Sequence, residues 1–135
     1  MNKELYFNIN ARVPNNNSVF DKDDTKLSEA IYTIFPLKTE NAILFWGEEQ
    51  IELSYKYDFS IMIEDILEMI FNLQTQTVGE WSVDWSSNTL TTNWNLIWSE
   101  KNLEITAVWR EEFNTTSYLK GNNIIKIDKY IFLNE

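Results

Sequence analysis

Residues 79–109, GEWSVDWSSNTLTTNWNLIWSEKNLEITAVW, hold five of the chain's six tryptophans. Apolar and polar residues alternate with period two, which commits the stretch to strands whose successive side chains point to opposite faces. A turn at Ser87–Asn88 pairs Trp85 with Leu90, Val83 with Thr92 and Trp81 with Trp94. A turn at Glu100–Lys101 pairs Trp98 with Leu103, Leu96 with Ile105 and Trp94 with Ala107. Both registers put every tryptophan from 81 to 109 on one face of an antiparallel meander. The other face reads Ser82, Asp84, Thr91, Asn93, Asn95, Glu104, Thr106 and Arg110, broken by Ile97 and Val108. Tryptophans of about 200 Å² each make an apolar face well above ~1,000 Å². The largest apolar patch on a soluble monomer is roughly 300–600 Å², so this face must be covered. The tryptophans are expected to wall a core rather than to form a stacking platform.

The clearest helix is DFSIMIEDILEMIFNLQTQ, residues 58–76, where Phe59, Ile63, Ile66, Ile70 and Leu73 recur at helical spacing and Asp58 or Ser60 can cap the start. LYFNINARV alternates Leu5, Phe7, Ile9, Ala11 and Val13 as a strand does. DDTKLSEAIYTIF predicts a short helix capped at Asp24 or Thr25, with Leu27, Ile31, Ile34 and Phe35 inward, ending before Pro36. AILFWGEEQIELSYKY predicts a hairpin around Gly47–Gln50, pairing Trp46 with Ile51, Leu44 with Leu53 and Ala42 with Tyr55. IIKIDKYIFL predicts a last strand with Ile125, Ile127, Ile131 and Leu133 on one side. The fold class expected is α+β: an antiparallel, Trp-rich sheet with one long helix on its apolar face and a short N-terminal helix. A length of 135 residues fits a single domain, 1–135.

The chain has no cysteine and no histidine. Disulfides and zinc–thiolate sites are excluded, along with the commonest general base and any Ser-His or Cys-His nucleophile pair. With no catalytic signature, the expectation is a non-enzyme without metal or cofactor. DKDDTKLSEA has a calcium loop's acids but lacks its central glycine and terminal glutamate. No charged region followed by an apolar run opens the chain, and FSIMIEDILEMIFNL is too short and too acidic to span a bilayer, so a soluble, cytoplasmic protein is expected.

The net charge of −10 is unevenly placed. Residues 1–38 and 101–135 each hold five bases and five acids, whereas 39–100 hold eleven acids and a single base, Lys56. Concentrated charge of one sign steers a basic partner and disfavours direct nucleic-acid binding. On the predicted long helix the side opposite the core carries Glu64, Asp65, Glu68 and Asn72 around Ile61, with Phe71 at the margin. Glu64 and Glu68 repel as an i,i+4 pair, a small cost that a partner's Lys or Arg would reverse. An apolar residue ringed by acids has the anatomy of an interface anchor inside a polar rim. Glu48 and Glu49 in the hairpin turn join the candidate partner-binding set. The competing reading is a solvated helix face.

A small, cysteine-free, acidic α+β chain with a GEWSVDW…WNLIW…ITAVW meander and an IIKIDKYIFL ending resembles the immunity proteins of bacterial toxin systems, including contact-dependent growth inhibition and polymorphic toxins. The resemblance is one of overall style. It implies a partner: the C-terminal domain of a cognate toxin, typically a basic nuclease, bound and blocked by the acidic surface. The alternative is a small carbohydrate- or ligand-binding module that uses exposed aromatics.

Overall fold

The computed structural model describes residues 5–11, 21–35, 41–87, 89–109 and 117–134. Strands β1 (Phe7–Ala11), β2 (Ala42–Trp46) and β3 (Glu49–Leu53) form one antiparallel sheet in that order. Strands β4 (Val78–Ser86), β5 (Thr91–Ser99), β6 (Asn102–Trp109) and β7 (Ile124–Asp128) form a second. Helices α1 (Leu27–Ile34) and α2 (Ser60–Thr75) lie between β1 and β2 and between β3 and β4 in the chain; α3 (Ser117–Gly121) and α4 (Lys129–Leu133) flank β7. The α+β class and the antiparallel Trp-rich meander match expectation. The single sheet does not: the N-terminal strands make a sheet of their own.

The tryptophan face is covered by both that first sheet and α2. Trp46 of β2 lies 5.6 Å from Trp94 and 5.3 Å from Trp109, and Phe7 of β1 lies 6.1 Å from Trp94. Tilted and edge-on ring pairs at these distances add about 0.5–1.5 kcal/mol each beyond their burial. From α2, Met62, Met69 and Leu73 join the same buried cluster. One helix stripe is too narrow for a face this wide, and the alternating inner residues Phe7, Leu44, Trp46, Ile51 and Leu53 supply the rest.

Two of the three predicted hairpin registers are shifted by two residues, in opposite senses. In β2–β3 the pairing is Trp46 with Glu49, Leu44 with Ile51 and Ala42 with Leu53. Gly47 takes φ 60°, which closes the hairpin in two residues instead of four. In β4–β5 the pairing is Trp85 with Thr92, Val83 with Trp94 and Trp81 with Leu96, leaving a four-residue loop, 87–90. That loop is held by Asp58, whose buried carboxylate accepts from Ser87 Oγ at 2.8 Å, Thr89 N at 2.7 Å and Ser54 N at 2.7 Å. The β5–β6 register is as predicted, with Trp98 opposite Leu103.

The helices also depart from expectation. Asp58 and Ser60 do not cap α2. Its chain enters through a π-helical turn, Tyr55–Phe59, capped by Ser54, whose hydroxyl accepts from Tyr57 N at 3.1 Å. The inward stripe of α2 is Met62, Met69 and Leu73, with Phe59 and Ile66 half-buried, so it is rotated away from Ile63 and Ile70; Ser60, also buried, lies on the other side, in the groove against α1. In α1 neither Asp24 nor Thr25 is the cap, no residue is buried, and Leu27 and Ile34 face solvent. The predicted last strand stops at Asp128, whose carboxylate accepts from Tyr130 N at 2.9 Å and Ile131 N at 3.2 Å and so starts α4. Ile131 turns outward, and Phe132 instead packs 5.3 Å from Phe7. Strand β1 begins at Phe7 rather than Leu5, and its Ala11 is exposed; Val13 and Arg110 lie outside the described residues.

Candidate functional site

The outward side of α2 follows from its buried one. At about 100° per residue, a core side centred on Met62, Ile66, Met69 and Leu73 puts Glu64 and Phe71 directly opposite, with Leu67 and Glu68 to either side. Asp65, Ile61 and Asn72 follow at the edge of this ridge. Phe71 is 62% exposed, Ile61 54% and Leu67 49%. Leu67 and Phe71 are an i,i+4 pair, so their side chains adjoin in solvent, beside the row of Glu64 and Glu68. By the spacing of its isoleucines alone, Phe71 falls at the margin of the outer face and Leu67 is not singled out. Counting Met62 and Met69 as core would have rotated the stripe and found both.

Of the seven predicted site residues, Ile61 and Glu64 come together in a groove of about 460 Å³ between α1 and α2, also lined by Asp24, Ser28, Glu29 and Tyr32. Glu64 is already engaged there, accepting from Ser28 N at 3.2 Å. The desolvation that would raise its carboxyl is outweighed by the Ser28 hydrogen bonds and the Lys26 charge, and the group sits below the ordinary glutamate range. Asp65 and Glu68 are exposed. Asn72 is tied into its own helix, donating to the Glu68 carbonyl at 2.8 Å and accepting from Gln76 at 3.1 Å. Glu48 and Glu49 occupy the β2–β3 turn and β3, a different element, and do not line this groove.

The electrostatics of the ridge are one-sided. Helix α2 contains Glu64, Asp65 and Glu68 and no Lys or Arg. Lys56, the single base of residues 39–100, is turned to α1, donating to the Tyr32 carbonyl at 2.6 Å with its ammonium 4.0 Å from the Tyr32 ring centre. The acids are not all available either, since Asp58 is fully buried in the loop anchor.

Two other surfaces compare poorly with this one. Trp46, Trp85 and Trp98 are at most 1% exposed and Trp94 and Trp109 are buried, so they offer no sugar-stacking face; Trp81 is half-buried. The outer face of the second sheet exposes Ile97, Val108 and Ile124, but they are dispersed among polar side chains, and Glu104 stands opposite Lys126. Among the described residues no group of three or more acidic residues could hold a metal ion, and no helix is long and apolar enough to cross a membrane. No family model, curated protein or solved structure matches the chain.

Proposed function

We propose that this protein is an immunity-type inhibitor, which binds a cognate, basic, nuclease-type toxin domain in the cytoplasm and neutralises it by occupancy rather than by catalysis. The observation that carries this reading is the α2 ridge, where Leu67 and Phe71 stand in water beside Glu64, Asp65 and Glu68. An exposed aromatic side chain such as Phe71 is a usual kind of interface anchor, an apolar neighbour such as Leu67 helps to exclude water around it, and rim charges of one sign speed the approach of an oppositely charged partner. In such a complex the carboxylates take the place of nucleic-acid phosphates on the toxin's basic surface. Glu48 and Glu49 belong to the acidic field that steers the approach and lie outside the ridge itself.

The test is co-expression with the C-terminal domain of a large toxin encoded beside this chain, followed by size-exclusion at low and high salt. A 1:1 complex that weakens with salt, together with rescue of growth, supports the reading. Glu64→Lys with Asp65→Lys and Glu68→Lys should abolish rescue while leaving thermal unfolding near that of the parent. A complex and rescue that survive this triple reversal would remove α2 from the interface.

A further inference from the structure

Helix α1 is attached unevenly. It has eight residues, none of them buried, a length at which an isolated helix is unstable in water. Its C-terminal end is held several times over. Lys56 donates to the Tyr32 carbonyl, the Tyr32 and Tyr57 rings meet at 5.8 Å, and Phe35 meets Tyr55 at 5.3 Å, with Tyr55 stacked on Phe59 at 5.3 Å. Both charge and dipole match here, since a cation at a helix C-terminus is favourable. The N-terminal end has far less. The cap position is Lys26, whose side chain makes no capping hydrogen bond, and Thr25 N reaches Glu29 only at 3.4 Å. The cross-helix hold on this end is Ser28, whose N donates to the Glu64 carboxylate at 3.2 Å with its side chain bonding the same group. Glu64 therefore caps a helix that is not its own. Around it, Lys26 attracts and Asp24 and Glu29, lining the same groove, repel.

We propose that α1 is a strap, hinged at Tyr32 and Phe35 and latched at its first turn by Glu64, which opens over Ile61 without unfolding either sheet. A donor that takes the Glu64 oxygen bonded to Ser28 competes with the latch, so engagement of that oxygen by a partner weakens the closure of the strap. The latch stands on the geometry of α1 and holds whether or not the α2 ridge meets a toxin.

The experiment is amide hydrogen exchange on the whole chain, comparing the parent with Glu64→Ala, Glu64→Gln and Glu68→Ala. Glu64→Ala should speed exchange at Ala30 and Ile31 about fivefold, the size of a lost N-cap. Glu64→Gln, which keeps an acceptor oxygen, should give a smaller increase. Glu68→Ala removes the same charge one turn along and should leave α1 unchanged; in the parent, Ala30 and Ile31 should exchange faster, and with a shallower denaturant dependence, than Leu96 and Ile105 in the second sheet. Unchanged rates at Ala30 and Ile31 in Glu64→Ala would overturn the latch. So would protection and denaturant dependence at Ala30 and Ile31 in the parent equal to those at Leu96 and Ile105, which would mean that α1 opens only with the whole fold.

Discussion

The two sides of α2 divide the molecule into parts built on opposite terms. Inward, Met62, Met69 and Leu73 close a core in which Trp46, Trp85 and Trp98 are sealed from water and rings pack within 5.3–6.2 Å of one another. Outward, Ile61, Leu67 and Phe71 remain in water, and α1 buries none of its residues. The tryptophans dominate the sequence yet serve the fold, because a face that large cannot stay exposed. The less conspicuous α2 ridge keeps apolar area in solvent that intramolecular packing has not used, and that is where a partner is expected.

The sharpest way to break this contrast is to truncate one large side chain on each side. Trp98→Ala should cost about 3–5 kcal/mol, against no more than about 0.5 kcal/mol for Phe71→Ala, read as chemical-denaturation midpoints. Comparable losses would place Phe71 in the core and end the distinction. Asp58→Ala comes next: it strands the donors of Ser54, Ser87 and Thr89 and should cost about 2–3 kcal/mol by the same measurement. Gly79→Ala probes the edge of the tryptophan wall. A Cβ there would come within 2.7 Å of the Trp98 ring, which is locked by its own bond to the Gln76 carbonyl at 2.8 Å, so a loss of roughly 1–3 kcal/mol is expected.

The smallest effect is on the outward side and depends on pH. Because the folded pKa of Glu64 is lowered, its contribution is present above the unfolded glutamate value and fades as pH falls through the folded one. The stability difference between the parent and Glu64→Gln, measured in denaturant from pH 7 down to pH 3, should therefore shrink in that acid window. A difference that grows instead would contradict the Ser28 assignment.

How far the sequence could be read follows the same division. Strand faces were legible because a register slip of two residues keeps every side chain on its own side. The slips came from loop details that alternation does not report: the left-handed Gly47 shortens one hairpin, and the Asp58 anchor lengthens another. At Glu100–Lys101, Glu100 takes φ 53° and the two-residue turn falls where predicted. The first sheet was missed as a separate layer because pairing β1 with β2 spans a helix in the chain, and no local pattern encodes that contact. In α2, favouring Ile63 and Ile70 over Met62 and Met69 rotated the stripe, which hid Leu67 and left Phe71 at the margin, while Glu64, Asp65 and Glu68 beside them were legible. Asp128, followed by Lys, Tyr and Ile, was a readable cap passed over in favour of a longer strand.

The most direct test of the ridge is calorimetric titration of the purified toxin domain with the parent protein and with Leu67→Ser/Phe71→Ser. Both substitutions leave the carboxylates and the core in place. The expected result is binding weakened about a hundredfold or more, as when interface anchors are truncated, with the thermal midpoint within a few degrees of the parent. An affinity within threefold of the parent's would contradict the account and leave Leu67 and Phe71 as apolar side chains that merely happen to face water.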